Sequence, residues 1–168
     1  TEDGKILGVK FVEIADMGAY YQLLTPGIPE LGAWVYMGPY VPETYHYEFR
    51  GILTNCTPTD AYRGAGRPEA TYVVERIVDA FARKVGKDPA ELRRMNLHPP
   101  FDEATTSVCG LNVDSGNYEP LLDKALELSG YAEVRKEQAA RRERGDTVAL
   151  GIGLSTYIEM CGLAPSNI

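Results

Sequence analysis

Two histidines and three cysteines in 168 residues leave little material for a metal centre built from side chains alone. His46 and His98 stand far apart with no partner at ligand spacing, so each reads as a surface or otherwise satisfied histidine. Cys56, Cys109 and Cys161 are odd in number, widely spaced and without a CxxC pair. That pattern excludes a disulfide framework and a zinc site, and it points to small buried thiols in a reducing compartment. No apolar run reaches membrane-spanning length, and no charged leader precedes an apolar core, so neither membrane insertion nor secretion is indicated and a cytoplasmic location is expected. Basic residues are outnumbered, 17 against 24 acidic for a net charge of −7, which argues against nucleic acid as a partner. Arg135, Lys136, Arg141, Arg142 and Arg144 cluster, but Glu133, Glu137 and Glu143 interleave with them as on a solvated, ion-paired helix face. Also missing are a Gly-x-Ser-x-Gly elbow, which would suggest a hydrolase, and a Gly-Lys-Ser/Thr phosphate loop.

What is present is the composition of a globular domain, 44% hydrophobic and 24% charged. Residues 5–14 read as a strand whose neighbours are expected elsewhere in a longer chain. Residues 17–45 carry Tyr20, Tyr21, Trp34, Tyr36 and Tyr40 among many glycines and prolines, and read as a long aromatic loop with short pieces of structure. Aromatic packing under the loop is its commoner explanation, a substrate-channel wall the other. Residues 47–56 return to strand-like composition. Ala70, Val73, Val74, Ile77, Phe81 and Val85 then recur at helical spacing from Glu69 to Val85. Gly86 stops that helix, and Asp88, Pro89 and Glu91 start another with a cap, a first-turn proline and a glutamate three residues after the cap. Residues 99–113 are irregular, helices are expected over 117–128 and 131–144, and a final strand over 147–160. The fold class expected is α+β: an incomplete mixed sheet with three to four helices, residues 1–168 forming a single partial domain. Both termini look cut from a larger sheet.

The most informative stretch is 59–85, a glycine-rich loop with two arginines that runs into the amphipathic helix. Gly64 and Gly66 let the backbone turn tightly, and Arg63 and Arg67 each offer a permanent charge with a planar fork of donors. Pro68 suits a first helical turn, where unsatisfied amides also favour negative charge. After Gly64 and Gly66 the third glycine of a dinucleotide fingerprint is replaced by Glu69, which disfavours a Rossmann site. From these residues alone, an anion or cofactor cradle and an ordinary turn with ion-paired arginines stand at even odds.

Taken together, Ala61-Tyr62-Arg63-Gly64-Ala65-Gly66-Arg67-Pro68-Glu69-Ala70, Glu75-Arg76, Gly86-Lys87-Asp88-Pro89 and Glu91 to Leu97 closely resemble the molybdenum-binding large subunit of the xanthine oxidase family. Within it the chain looks most like carbon monoxide dehydrogenase large-subunit homologues whose loop reads Ala-Tyr-Arg-Gly-Ala-Gly-Arg. Weaker resemblance extends through Asp3 to Ile6, Gly18 to Tyr20, Thr54 to Cys56 and Gly151 to Leu154. In the carbon monoxide oxidisers of that family a copper-binding cysteine stands where this chain has Gly64. The resemblance therefore implies a hydroxylase of an aldehyde, a purine or another heteroaromatic compound.

It further implies molybdenum-molybdopterin, in the cytosine dinucleotide form, with 2Fe-2S and FAD on an iron–sulfur small subunit and an FAD medium subunit. Arg63 is the catalytic residue implied, stabilising negative charge that develops on the substrate near the metal. Tyr62, Gly64 and Ala65 are implied in the substrate pocket, and Gly66 and Arg67 at the cofactor. Arg67 has as alternatives contact with cofactor or substrate and bracing of the helix start through Glu69. Glu159 invites comparison with a catalytic base but lies in no Gly-Glu-Pro motif. No side chain here is expected to ligate the metal. The rest of the large subunit is needed, so the isolated fragment is expected to be inactive and to hold no cofactor. The alternative reading is a stand-alone cofactor-handling or interaction domain without redox turnover.

Overall fold

Alternating inward Val9, Phe11 and Glu13 make Gly8–Gly18 the first strand, β1, and alternating Tyr45, Tyr47 and Phe49 make Thr44–Leu53 the second, β2. A computed structural model describes residues 1–161 of the chain; the Ala164 to Asn167 end lies outside them. β1 and β2 pair in parallel, Gly8 opposite Thr44 through Asp16 opposite Ile52, with a register shift between Asp16 and Gly18. A neighbour within the chain therefore corrects the expectation that every partner of the first strand lies elsewhere. Parallel strands need a long crossover. The aromatic stretch supplies it, including a short helix, α1 (Gly27–Ala33).

The long helix, α2 (Arg67–Val85), starts two residues before the expected Glu69, with Pro68 in its first turn, and Gly86 closes it at φ 69°. Its buried seam is Ala70, Val74, Val78 and Ala82, one residue in every four. That row is narrower than the expected stripe, and Ile77 is 44% exposed. α3 (Pro89–Asn96) is capped as its sequence indicates, Asp88 accepting from the amides of Ala90 at 2.8 Å and Glu91 at 3.4 Å. A minimal antiparallel pair, β3 (Thr105–Thr106) with β4 (Asn112–Val113), lies in the irregular stretch. α4 (Glu119–Leu128) and α5 (Tyr131–Arg144) follow. The architecture is α+β, and the fifth helix beyond those expected is α1. On α5 the interleaved charges pair locally, Glu137 with Arg141 at 2.8 Å and Glu133 with Lys136 at 2.7 Å.

The core gathers Phe11, Val35, Tyr36, Met37, Tyr40, Ala70, Val74, Val78, Leu92 and Leu97 between sheet, crossover and α2. Within the aromatic stretch Tyr36 and Tyr40 are buried, whereas Tyr20, Tyr21 and Trp34 are exposed. The cysteines depart from expectation: Cys56 and Cys161 are exposed and Cys109 is half-buried. Among the described residues no helix is long and apolar enough to cross a membrane.

Residues 147–160 do not form the expected strand ladder. From Leu150 to Cys161 no helix or ladder is formed, yet half-buried and exposed residues alternate strictly, as they do along an extended segment. Side chains hold it. Gln138 donates to the Leu150 carbonyl at 2.8 Å, Arg93 to the Leu154 carbonyl at 2.9 Å, and Glu75 accepts from the Thr156 amide at 2.9 Å. Arg93, fully buried, also pairs with Glu75 and Asp79, both at 2.9 Å, and Tyr40 donates to Glu75 at 2.6 Å.

Candidate active site

The loop between β2 and α2 is pinned from below by α1 and the turn before it. The buried Thr25 hydroxyl donates to the Thr59 carbonyl at 2.5 Å, and Asp60 accepts from the Leu24 amide at 2.9 Å. Two tight turns follow, Ala65 donating to the Tyr62 carbonyl at 3.0 Å and Arg67 to that of Gly64 at 3.1 Å. Their backbone is left-handed at three consecutive positions, Gly64 (φ 101°), Ala65 (φ 40°) and Gly66 (φ 90°). Glycine adopts these angles without steric cost; Ala65 does so under strain. Gly66 is also required by packing, because a Cβ there would stand 1.9 Å from the carbonyl oxygen of Ile28 in α1. At Gly64 a Cβ would meet Pro68 Cγ at 2.7 Å.

This loop and the extended C-terminal segment face each other across a cavity of about 800 Å³, lined by Leu24, Leu31, Arg63, Gly64, Arg67, Pro68 and Glu159 to Cys161. Arg63 is exposed on its wall and makes no hydrogen bond or ion pair among the described residues. Arg67, unlike Arg63, has partners among the described residues. It donates from Nη1 to the Met160 carbonyl at 3.0 Å, and its Nε lies 2.9 Å from Glu159 Oε1. Nε is buried and makes no hydrogen bond among the described residues, so the contact with Glu159 is electrostatic. The Gly64 and Gly66 amides find no acceptor among the described residues. Two guanidinium groups against one carboxylate leave the wall net positive.

Of the residues singled out in the sequence, Arg63, Gly64 and Arg67 are brought together on this wall. Gly66 packs behind it against α1. Tyr62 projects from the loop, 88% exposed, and neither it nor Ala65 is among the cavity's lining residues. Arg67 braces the loop through Glu159 and Met160 rather than through Glu69. Glu159 and Met160 therefore belong to the site for a reason the sequence did not carry: Met160 is 93 positions from Arg67, and no spacing rule links them. His98 is satisfied locally, its Nδ1 at 2.6 Å from the Pro99 carbonyl and its ring against Phe101. No group of three or more His, Cys, Asp or Glu converges as a metal site among the described residues.

The family profile described as molybdopterin cofactor-binding domain matches residues 1–97. The chain is 37% identical over its whole length to the carbon monoxide dehydrogenase large chain of Hydrogenophaga pseudoflava, covering 21% of that protein. It is 33% identical over 96% of its length to subunit gamma of the 6-hydroxypseudooxynicotine dehydrogenase complex of Paenarthrobacter nicotinovorans, again covering 21%. The solved carbon monoxide dehydrogenase of Oligotropha carboxidovorans superposes with a TM-score of 0.76 at 32% identity, over 88% of this chain and 19% of that one. The chain thus spans about a fifth of the length of these relatives.

Proposed function

This chain belongs to the molybdopterin cofactor-binding family of carbon monoxide dehydrogenase and xanthine oxidase type molybdenum hydroxylases, and on that premise we propose that it supplies one wall of such an enzyme's active site. The observation that carries the reading is the Arg63 guanidinium, unpaired among the described residues, on a cavity wall whose backbone is fixed from behind by α1 and from the side by Arg67. The donor set fits an anionic group: among the described residues the Arg63 guanidinium has no partner, the buried Arg67 Nε has no hydrogen bond, and the Gly64 amide has no acceptor. When bound, molybdenum-molybdopterin supplies the two-electron oxidation of the substrate carbon.

The chain's own contribution is electrostatic. Arg63, anchored in a tight turn, holds a permanent positive charge where negative charge develops on the substrate, and a preorganised donor does this at less cost than solvent. Gly64 keeps the wall low, and Ala65 and Tyr62 border the substrate's approach. Gly66 sets the loop's depth, and Arg67 with the Gly64 amide faces the anionic part of the cofactor. The substrate we infer is an aldehyde, a purine or another heteroaromatic compound rather than carbon monoxide. Gly64 carries no thiol to ligate copper, and with φ at 101° and Pro68 Cγ 2.7 Å from a would-be Cβ a side chain there is strained. The remainder of the large subunit, the cytosine dinucleotide form of the cofactor, the iron–sulfur and FAD subunits and a cytoplasmic setting complete the proposal. The 168 residues alone would neither hold the cofactor nor turn over.

The test is made in the full-length subunit assembled with its partners. Stoichiometric molybdenum with substrate-dependent dye reduction is expected, and Arg63→Ala should cut kcat/KM by more than about tenfold while molybdenum content stays near wild type. Unchanged turnover removes Arg63 from the mechanism. A full-length protein without molybdenum or turnover would favour a cofactor-handling role.

A further inference from the structure

We propose that residues 150–161 form a β-strand whose open edge receives a strand from the part of the longer protein outside this chain, and that the added strand extends the wall of the arginine cavity. In an extended segment the N–H and C=O groups of successive residues point to opposite edges. Here one edge is already partly occupied by side chains. The Leu150, Leu154 and Met160 carbonyls accept from Gln138, Arg93 and Arg67, and the Thr156 amide donates to Glu75. All four are even-numbered positions, so helices α5, α3 and α2 together cover that edge with side chains in place of a neighbouring strand.

The other edge carries the amides and carbonyls of Gly151, Gly153, Ser155, Tyr157 and Glu159, and these have no backbone partner among the described residues. A row of unpaired groups in extended conformation is a template for another strand. Its alternation of half-buried and exposed residues is that of a strand with one face covered. Four side-chain anchors hold it in place before any partner arrives, which lowers the ordering cost of pairing.

The occupant follows from size. Eight residue steps from Gly151 to Glu159 give an edge of roughly 26 Å, too short to bury the ~1,200 Å² that a stable interface between separate chains requires. A strand of the same polypeptide meets no such requirement, and relatives carry about four-fifths of their length outside the region matched here. Glu159, Met160 and Cys161 line the cavity beside Arg63 and Arg67, so a strand laid along this edge continues the cavity wall. The inference rests on backbone geometry and stands whether or not the redox reading does.

Amide hydrogen exchange on the full-length subunit tests it, resolved to single residues over 150–161. Thr156, bonded to Glu75 here, serves as the internal reference. The expected result is exchange at Gly151, Gly153, Ser155, Tyr157 and Glu159 at least about a hundredfold slower than in an unstructured peptide, at every subunit concentration. Exchange at peptide rates in those five residues while Thr156 is protected overturns the proposal. So does protection that develops only as concentration rises, since that assigns the edge to a second copy or a separate partner.

Discussion

At Gly66 backbone geometry and packing make the same demand. Its φ of 90° excludes a side chain on conformational grounds, and the Ile28 carbonyl 1.9 Å from a would-be Cβ excludes it on steric grounds. Gly66→Ala must therefore either push α1 away or unwind the turn that starts α2. A loss of about 2–4 kcal/mol is expected in urea unfolding, above the usual range for a surface substitution. An unchanged midpoint would mean that the loop is not locked against α1. The need for glycine at 64 and 66 was legible in the sequence, as was the charge of Arg63. The partner of Arg67 was not. Helical spacing points only to the nearby Glu69, whereas Glu159 and Met160 reach Arg67 because the chain returns along α2 after five further elements. Position-by-position reading finds residues that a turn requires, but it does not find ion pairs made by the tertiary path.

The elements show the same division between local and non-local information. The Asp88 cap, the Gly86 stop and the charged face of α5 are set by residues within a turn or two of each other, and each was readable. The alternation over 147–160 was equally real, but a strand also needs a neighbour, and here the neighbours are side chains of three helices. Arg93 is central to that substitution. It is fully buried, bridges α3 to Glu75 and Asp79 on α2, and holds the Leu154 carbonyl. Arg93→Met keeps the length but leaves two acidic side chains facing each other without a cation. The expected cost is about 3–5 kcal/mol, because breaking a buried pair strands its charge. Adding Glu75→Gln to that variant should restore part of the loss, measured as a coupling between the two sites in urea unfolding. If the two effects simply add, the pair does not act as a unit.

Across the whole molecule, tyrosine hydroxyls join what the hydrophobic core only brings near. Tyr36 and Tyr47 both donate to Glu13 on β1 at 2.9 Å, and Tyr45 donates to the Ala33 carbonyl of α1 at 2.7 Å. Tyr131 of α5 donates to the capping Asp88 at 2.9 Å, so sheet, crossover and the last helix are each held by a phenol. Burial is the leading cause that pushes each of these phenols above its ordinary range, with the neighbouring carboxylates adding to it for Tyr36, Tyr47 and Tyr131. Tyr131 is pushed up to about 12. The sign follows from linkage: a phenol whose folded value lies above its unfolded value of about 10 contributes its full stability below that pH and loses it as pH climbs through the folded value. Thermal unfolding midpoints should therefore hold from about pH 8 to about pH 10 and fall progressively beyond it. Tyr131→Phe removes one of the titrating groups, so its midpoint starts lower through the lost bond to Asp88 but declines less steeply with pH. A wild-type midpoint that stays level past pH ~11 would show that these hydroxyls ionise without opening the fold, and that the core alone holds sheet, crossover and helices together.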